Sequence, residues 1–97
     1  MRTVQWNILA RQDYDRNINY LLQNWSDKEA QSFIHKVIEI ETLLAIGNVE
    51  FQDTDRAGIK RCVINKQISL FYRVIDKRNI ELLRFWNNSQ NLGNLNL

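Results

Sequence analysis

The stretch Ile68-Ser69-Leu70-Phe71-Tyr72-Arg73-Val74-Ile75, then Asp76-Lys77-Arg78-Asn79, then Ile80-Glu81-Leu82-Leu83-Arg84-Phe85-Trp86, decides the fold. The outer runs are rich in β-branched and aromatic residues and the four residues between them are polar. That is the pattern of two strands joined by a tight turn. With Lys77-Arg78 as the turn, Asp76 faces Asn79, Ile75 faces Ile80 and Arg73 faces Leu82. Phe71 then faces Arg84, and Ser69 faces Trp86. Strand side chains alternate between faces, so these residues share one face of the sheet. The other face carries Leu70, Tyr72 and Val74 against Phe85, Leu83 and Glu81, a set better suited to packing on helices.

Upstream, Ile59 to Ile64 reads as a third strand, joined through Asn65-Lys66-Gln67. A three-residue loop keeps Cys62 and Ile64 on the core side and turns Arg61 outward. A two-residue loop would reverse every side chain and bury Arg61, which is unfavourable. The open face then carries Arg61, Arg73 and Arg84 among Phe71 and Trp86. Guanidinium groups interleaved with aromatics suit phosphate contact, base stacking or an anchored peptide. The plainer alternative is that the two aromatics only cover the sheet while the arginines reach past them to water.

Further out, Thr3 to Ile8 alternates Val4, Trp6 and Ile8 and predicts a short strand. Ala10, Tyr14, Ile18, Leu21, Leu22 and Trp25 recur at helical spacing. Ser26-Asp27-Lys28-Glu29 has the form of a capping box opening a second helix. The apolar face of that helix is Ala30, Phe33, Ile34, Val37, Ile38, Glu41 and Leu44, and Gly47 suits its left-handed stop. The short link folds the two helices into an antiparallel hairpin. Asn48 to Gly58 reads as a loop. The Asn-rich tail, Asn87 to Leu97, reads as weakly ordered or ordered by a partner. The expectation is a single α+β domain over 1–97, in the order β-α-α-β-β-β, with the helical hairpin on one face of a mostly antiparallel sheet.

The 97 residues fit one domain, and 44% hydrophobic with 25% charged residues argues against disorder. Cys62 is the only cysteine, which excludes a disulfide scaffold. The sequence has no bilayer-length apolar run and no signal-peptide core at its start, so a reduced, cytoplasmic setting is expected. The net charge of +2 hides a division. Residues 1–55 carry five cations and nine anions, a net −4, whereas residues 56–97 carry eight cations against Asp76 and Glu81, a net +6. A basic half of this kind suits a polyanion or an acidic partner chain.

No spacing of Cys, His, Asp and Glu suggests a metal site, and no Gly-rich loop suggests a phosphate or cofactor cradle. His35 lies mid-helix beside the apolar stripe. Cys62 alternates into the core as a buried thiol rather than a nucleophile. Glu39 and Glu41 sit on a mostly solvated helix and do not form an acid–base pair. No catalytic set, metal or cofactor is therefore expected.

Over nearly its whole length the sequence resembles the RelE/ParE toxins of bacterial type II toxin–antitoxin modules, the plasmid-stabilisation proteins. The resemblance rests on Trp6 in the opening strand, Ala10…Asp13-Tyr14…Asn17…Tyr20-Leu21, Trp25-Ser26 and Ala30…Phe33-Ile34…Val37. It rests above all on Ile68 to Val74 followed by Ile80 to Asn91. RelE-like members cleave messenger RNA in the ribosomal A site, which needs proton transfer and cationic charge stabilisation. Their strand arginine falls on Ser69 and a later arginine on Ser89. The C-terminal tyrosine of one branch falls near Leu95, and the His-Tyr ending of another falls on Asn87 and Asn88. Those side chains do not carry over. ParE-like members, which poison DNA gyrase by binding, match better in lacking such a set.

The resemblance thus implies a toxin held inactive by a cognate antitoxin in a hetero-oligomer, with DNA gyrase as target. Its partner-contacting residues would be Arg61, Phe71, Arg73, Arg84 and Trp86. The alternative it leaves open is a ribosome-dependent endoribonuclease with a divergent site, in which Arg61 and Arg73 would supply charge and Tyr72 or His35 would move protons.

Overall fold

In a computed structural model, which describes residues 1–47, 49–95 and 97, the chain forms a five-stranded mixed sheet with two helices on one face. Asn48, at the start of the expected loop, and Asn96, inside the expected tail, lie outside the described residues. The elements are β1 (Thr3–Trp6), α1 (Ile8–Asn24), α2 (Asp27–Ile46), β2 (Gln52–Asp53), β3 (Ile59–Val63), β4 (Ile68–Asp76) and β5 (Asn79–Asn87). They lie in the order β1-β5-β4-β3-β2, with β1 parallel to β5 and the other pairs antiparallel. Among the described residues no helix is long and apolar enough to cross a membrane.

Each helix starts and stops for a local reason. The first strand ends at Trp6 rather than Ile8, because Asn7 caps α1 and its Oδ1 accepts the Leu9 N–H at 2.8 Å. Ser26 Oγ accepts the Glu29 N–H at 3.3 Å to open α2, with Asp27 and Glu29 favourably placed in the first turn. Gly47 closes α2 at φ 85°, its N–H donating to the Leu43 carbonyl at 3.0 Å. Arg2 lies across this end and donates from Nε to the Leu44 carbonyl at 3.0 Å. A Cβ on Gly47 would sit 3.3 Å from that Nε, a second reason for glycine there.

The helices bury Ala10, Leu21, Ala30, Phe33, Val37, Ile40 and Leu44 against Cys62, Ile68, Leu70, Tyr72, Ile80, Leu82 and Phe85. Three residues depart from the expected apolar faces. Leu22, Trp25 and Ile38 are exposed, while Ile40 is buried in place of Ile38. Trp6 closes one end of the layer, edge-on to Tyr14 at 5.1 Å between ring centroids. Its Nε1 donates to Glu41 Oε2 at 2.7 Å, which explains a carboxylate at the edge of the apolar face. The expected loop also contains β2, pairing Gln52 with Arg61 and Asp53 with Lys60.

Two bulges correct the expected pairing of β4 with β5. Ser69↔Trp86, Phe71↔Arg84 and Asp76↔Asn79 stand, but Tyr72 pairs with Leu82, Arg73 with Glu81 and Val74 with Ile80. Leu83 is the extra residue on β5 and Ile75 the extra residue on β4, so the two slips cancel. The physical reason is burial. The straight register would have put Glu81 in the core and turned Ile80 and Leu82 out. The bulged one buries both fully and leaves Glu81 to pair with Arg73. Each aliphatic side chain moved inside contributes about 2 kcal/mol, whereas an unpaired buried carboxylate would cost several. At the other turn the three-residue loop matches expectation, with Cys62 opposite Leu70 and Arg61 opposite Phe71. Asn65 Oδ1 fixes that loop by accepting the N–H groups of Gln67 and Ile68 at 2.8 and 2.9 Å.

Candidate functional site

The sheet face away from the helices carries the row Ser69, Phe71, Arg61, Arg84 and Trp86, with Arg73 one row further along β4. The expectation that this face is open is not met. Phe71, Trp86 and Leu95 form a second buried cluster, with Ile59 and Leu97 packed against it. The tail turns through a short 3₁₀ helix at Leu92–Asn94 and lays Leu95 and Leu97 on the two aromatics. Two bare aromatics would leave a large apolar area in water, and covering it at roughly 25 cal/mol per Å² offsets much of the cost of ordering the tail. Trp86 is 7% exposed, and its Nε1 has no hydrogen-bond partner among the described residues. Arg56 tethers the cover, Nη2 donating to the Leu95 carbonyl at 3.4 Å.

The arginines are held in three different ways. Arg61 lies 5.6 Å from the Phe71 ring centroid and donates to neutral acceptors, Ser69 Oγ and Asn88 Oδ1, both at 3.1 Å. Ser69 itself is fully buried and donates from Oγ to Asn88 Oδ1 at 2.8 Å. Arg84 stacks 5.1 Å from the Trp86 ring and grips Asp13 with two bonds, Nε–Oδ2 at 2.6 Å and Nη2–Oδ1 at 3.1 Å. The Asp13 hydrogen bonds push the Arg84 pKa up from its ordinary value despite burial. Arg73 is half exposed and pairs with Glu81 at 2.7 Å. Arg61 with Phe71 and Arg84 with Trp86 are thus brought together on one covered face, and Arg73 stands apart with its own carboxylate.

Sequence reasoning missed Asp13. Its signal was a lone acid at helical spacing among Ala10, Tyr14, Asn17 and Leu21. Where β1 stops, β5 has an unpaired edge, and α1 supplies it. Asp13 Oδ2 accepts the Phe85 N–H at 3.1 Å, and Asn17 Nδ2 donates to the Phe85 carbonyl at 3.4 Å. Two side chains one helical turn apart stand in for a neighbouring strand.

The remaining candidates are poorly placed for proton transfer. His35 is exposed on α2, on the helical side of the sheet, and Tyr72 is in the core, with its pKa raised chiefly by burial. Burial also pushes the Cys62 thiol up from 9.0 to about 11. Among the described residues no group of three or more His, Cys, Asp and Glu is placed to hold a metal ion. The Cys62 shift has a measurable consequence. A thiol whose folded pKa is raised lends stability that is complete below pH 9 and disappears as pH rises through 11. The urea midpoint should therefore fall across that window, by the equivalent of about 3 kcal/mol from this group. The Cys62→Ala variant should show a correspondingly smaller fall, and parallel pH profiles for the two proteins would refute it.

The sequence matches the family described as the ParE toxin of type II toxin–antitoxin systems, parDE, over residues 4–92. The chain belongs to the ParE toxin family. It is a toxin of a type II toxin–antitoxin module. A search of curated protein sequences finds no match. Among solved structures, the chromosomal ParDE toxin–antitoxin system from P. aeruginosa is similar, with TM-score 0.72 and 17% identity over 90% of this chain and 96% of that one. The E. coli DinJ–YafQ complex gives TM-score 0.63 and 11% identity over 92% and 96%. The YoeB dimer from Staphylococcus aureus gives TM-score 0.60 and 21% identity over 90% and 97%. At such identities the likeness carries the fold, two helices on a mixed five-stranded sheet, and ParE and RelE-like toxins share it.

Proposed function

We propose that this ParE-family toxin acts by binding rather than by breaking a bond, that its target is DNA gyrase, and that a cognate antitoxin holds it inactive. The observation that carries this reading is Ser69. Where RelE-like relatives are expected to place a strand arginine, a fully buried hydroxyl is tied to Asn88 at 2.8 Å and to Arg61 at 3.1 Å. That lock fills the position with a hydroxyl, an amide and the Arg61 guanidinium, none of them a base able to deprotonate a ribose hydroxyl. Ser89 is spent in the same way, its Oγ donating to Asn87 Oδ1 at 2.8 Å. Antitoxin capture is supported by the similar toxin–antitoxin complexes and by the net positive 56–97 half, which an acidic partner would complement. Arg61, Phe71, Arg73, Arg84 and Trp86 remain the contact residues we assign. Phe71 and Trp86 would be reached only if the tail lifts.

Induced expression followed by two assays separates the readings. Loss of supercoiling or gyrase-linked DNA breaks with intact transcripts is expected. Discrete cuts at ribosome-occupied codons, seen by primer extension, would replace gyrase poisoning with the ribosome-dependent endoribonuclease. Arg73→Ala should lower toxicity at least several-fold while changing stability by less than about 1 kcal/mol, because its ion pair is half exposed. A fully toxic Arg73→Ala protein at equal expression would remove Arg73 from the contact set.

A further inference from the structure

The molecule has a second cationic site, at the end opposite the tip of the helical hairpin, that the gyrase reading does not use. The β4–β5 turn and the residue before β1 meet there over the C-terminus of α2. They enclose an open cleft of about 610 Å³ lined by Arg2, Lys77, Arg78, Met1, Ile46 and Gly47. No carboxylate lines it, and neither Lys77 nor Arg78 forms an ion pair among the described residues.

The backbone beneath these cations is fixed. Asp76 Oδ1 accepts the Arg78 N–H at 2.7 Å, and both carboxylate oxygens of Asp76 accept from Asn79 Nδ2 at 3.0 and 3.1 Å. The Arg78 carbonyl accepts the Thr3 N–H at 2.7 Å, which ties the turn to β1. Arg2 is held in turn by the Leu44 carbonyl, the approach that Gly47 permits. The end of α2 contributes about half a negative charge. Three cations exceed it, so the cleft is net positive.

We propose that this cleft binds the phosphodiester backbone of a nucleic acid, with Lys77 and Arg78 each neutralising a phosphate and Arg2 completing the site. Phosphate suits the guanidinium fork and the ammonium point charge alike. A protein partner is disfavoured because, among the described residues, Ile46 and Met1 are the only large apolar side chains lining the cleft. A protein hot spot needs a desolvated apolar centre. The inference does not rest on the gyrase reading, since the probe is naked nucleic acid with neither gyrase nor ribosome present.

The test is fluorescence anisotropy with a labelled DNA duplex of about 20 base pairs and, separately, a labelled RNA hairpin, from about 50 mM salt upward. Wild-type protein is expected to bind at least one of them, and whichever binds more tightly names the source of the backbone. The double variant Lys77→Gln with Arg78→Gln should weaken binding about tenfold or more. It should also flatten the slope of log K against log salt by about one per lost phosphate contact, hence about two. The melting temperature should not change, because the turn's backbone bonds remain. Lys28→Gln with Lys66→Gln removes the same charge elsewhere and should leave the slope within half that change. Three results overturn the proposal: no binding of wild-type protein to either probe, an unaltered slope in the turn variant, or equal losses in the two double variants.

Discussion

Replacing Asp13 with alanine is expected to destabilise the protein by about 3–5 kcal/mol, because it strands a buried guanidinium. The Arg84 side chain is 15% exposed and its two strong bonds both go to Asp13. The same carboxylate satisfies the Phe85 N–H at the unpaired edge of β5. One truncation thus leaves an unpaired charge and an unpaired backbone donor in low dielectric. In a domain of this size each kcal/mol shifts the melting temperature by roughly 4–8 °C, so the loss is large on the scale of total stability. Two companions identify the cause. Asp13→Asn keeps an acceptor for Phe85 and should cost less. Asp13→Ala combined with Arg84→Leu should recover part of the loss, since no charge is then left without a partner. A drop below about 1 kcal/mol for Asp13→Ala would mean that water reaches the pair.

Tyr72→Ala is expected to cost about 3–5 kcal/mol, through lost burial and the cavity left behind. The ring is 1% exposed and stands edge-on to Phe51 at 6.2 Å. Tyr72→Phe keeps the ring and should cost about 1 kcal/mol. Denaturant midpoints for the pair decide the matter, because equal costs would assign the effect to the hydroxyl instead of the packing. The endoribonuclease alternative has Tyr72 or His35 move protons, and the place of Tyr72 in the core argues against the first of these.

The parts of the fold written in local chemistry were legible. Ser26 with Glu29, Gly47 at positive φ and the Asn65-Lys66-Gln67 loop each signal their structure within a few residues. The bulge at Leu83 was legible in principle. Ile80 and Leu82 alternate inward in one phase, and Leu83 with Phe85 in the other, so the phase change marks the slip. A straight ladder, the simplest pairing of two equal runs, hides it. Parallel pairing of β1 with β5 and the Asp13–Arg84 clasp join residues more than seventy positions apart, and no short-range pattern announces them. The cover over the site is hidden in the sequence for a related reason. Leu95 and Leu97 are diluted among asparagines, and only the distant Phe71 and Trp86 give them something to cover.

The position of β1 governs when the molecule can exist. Thr3–Trp6 pairs with Asn79–Leu82, more than seventy positions later in the chain, so until β5 is made a nascent chain holds Trp6 without Phe85 and Asp13 without Arg84. The contacts of β1 and α1 with β5 form only once residues 79–87 have been made. The Trp6–Phe85 packing and the Asp13–Arg84 clasp thus arrive together, as one late step of folding.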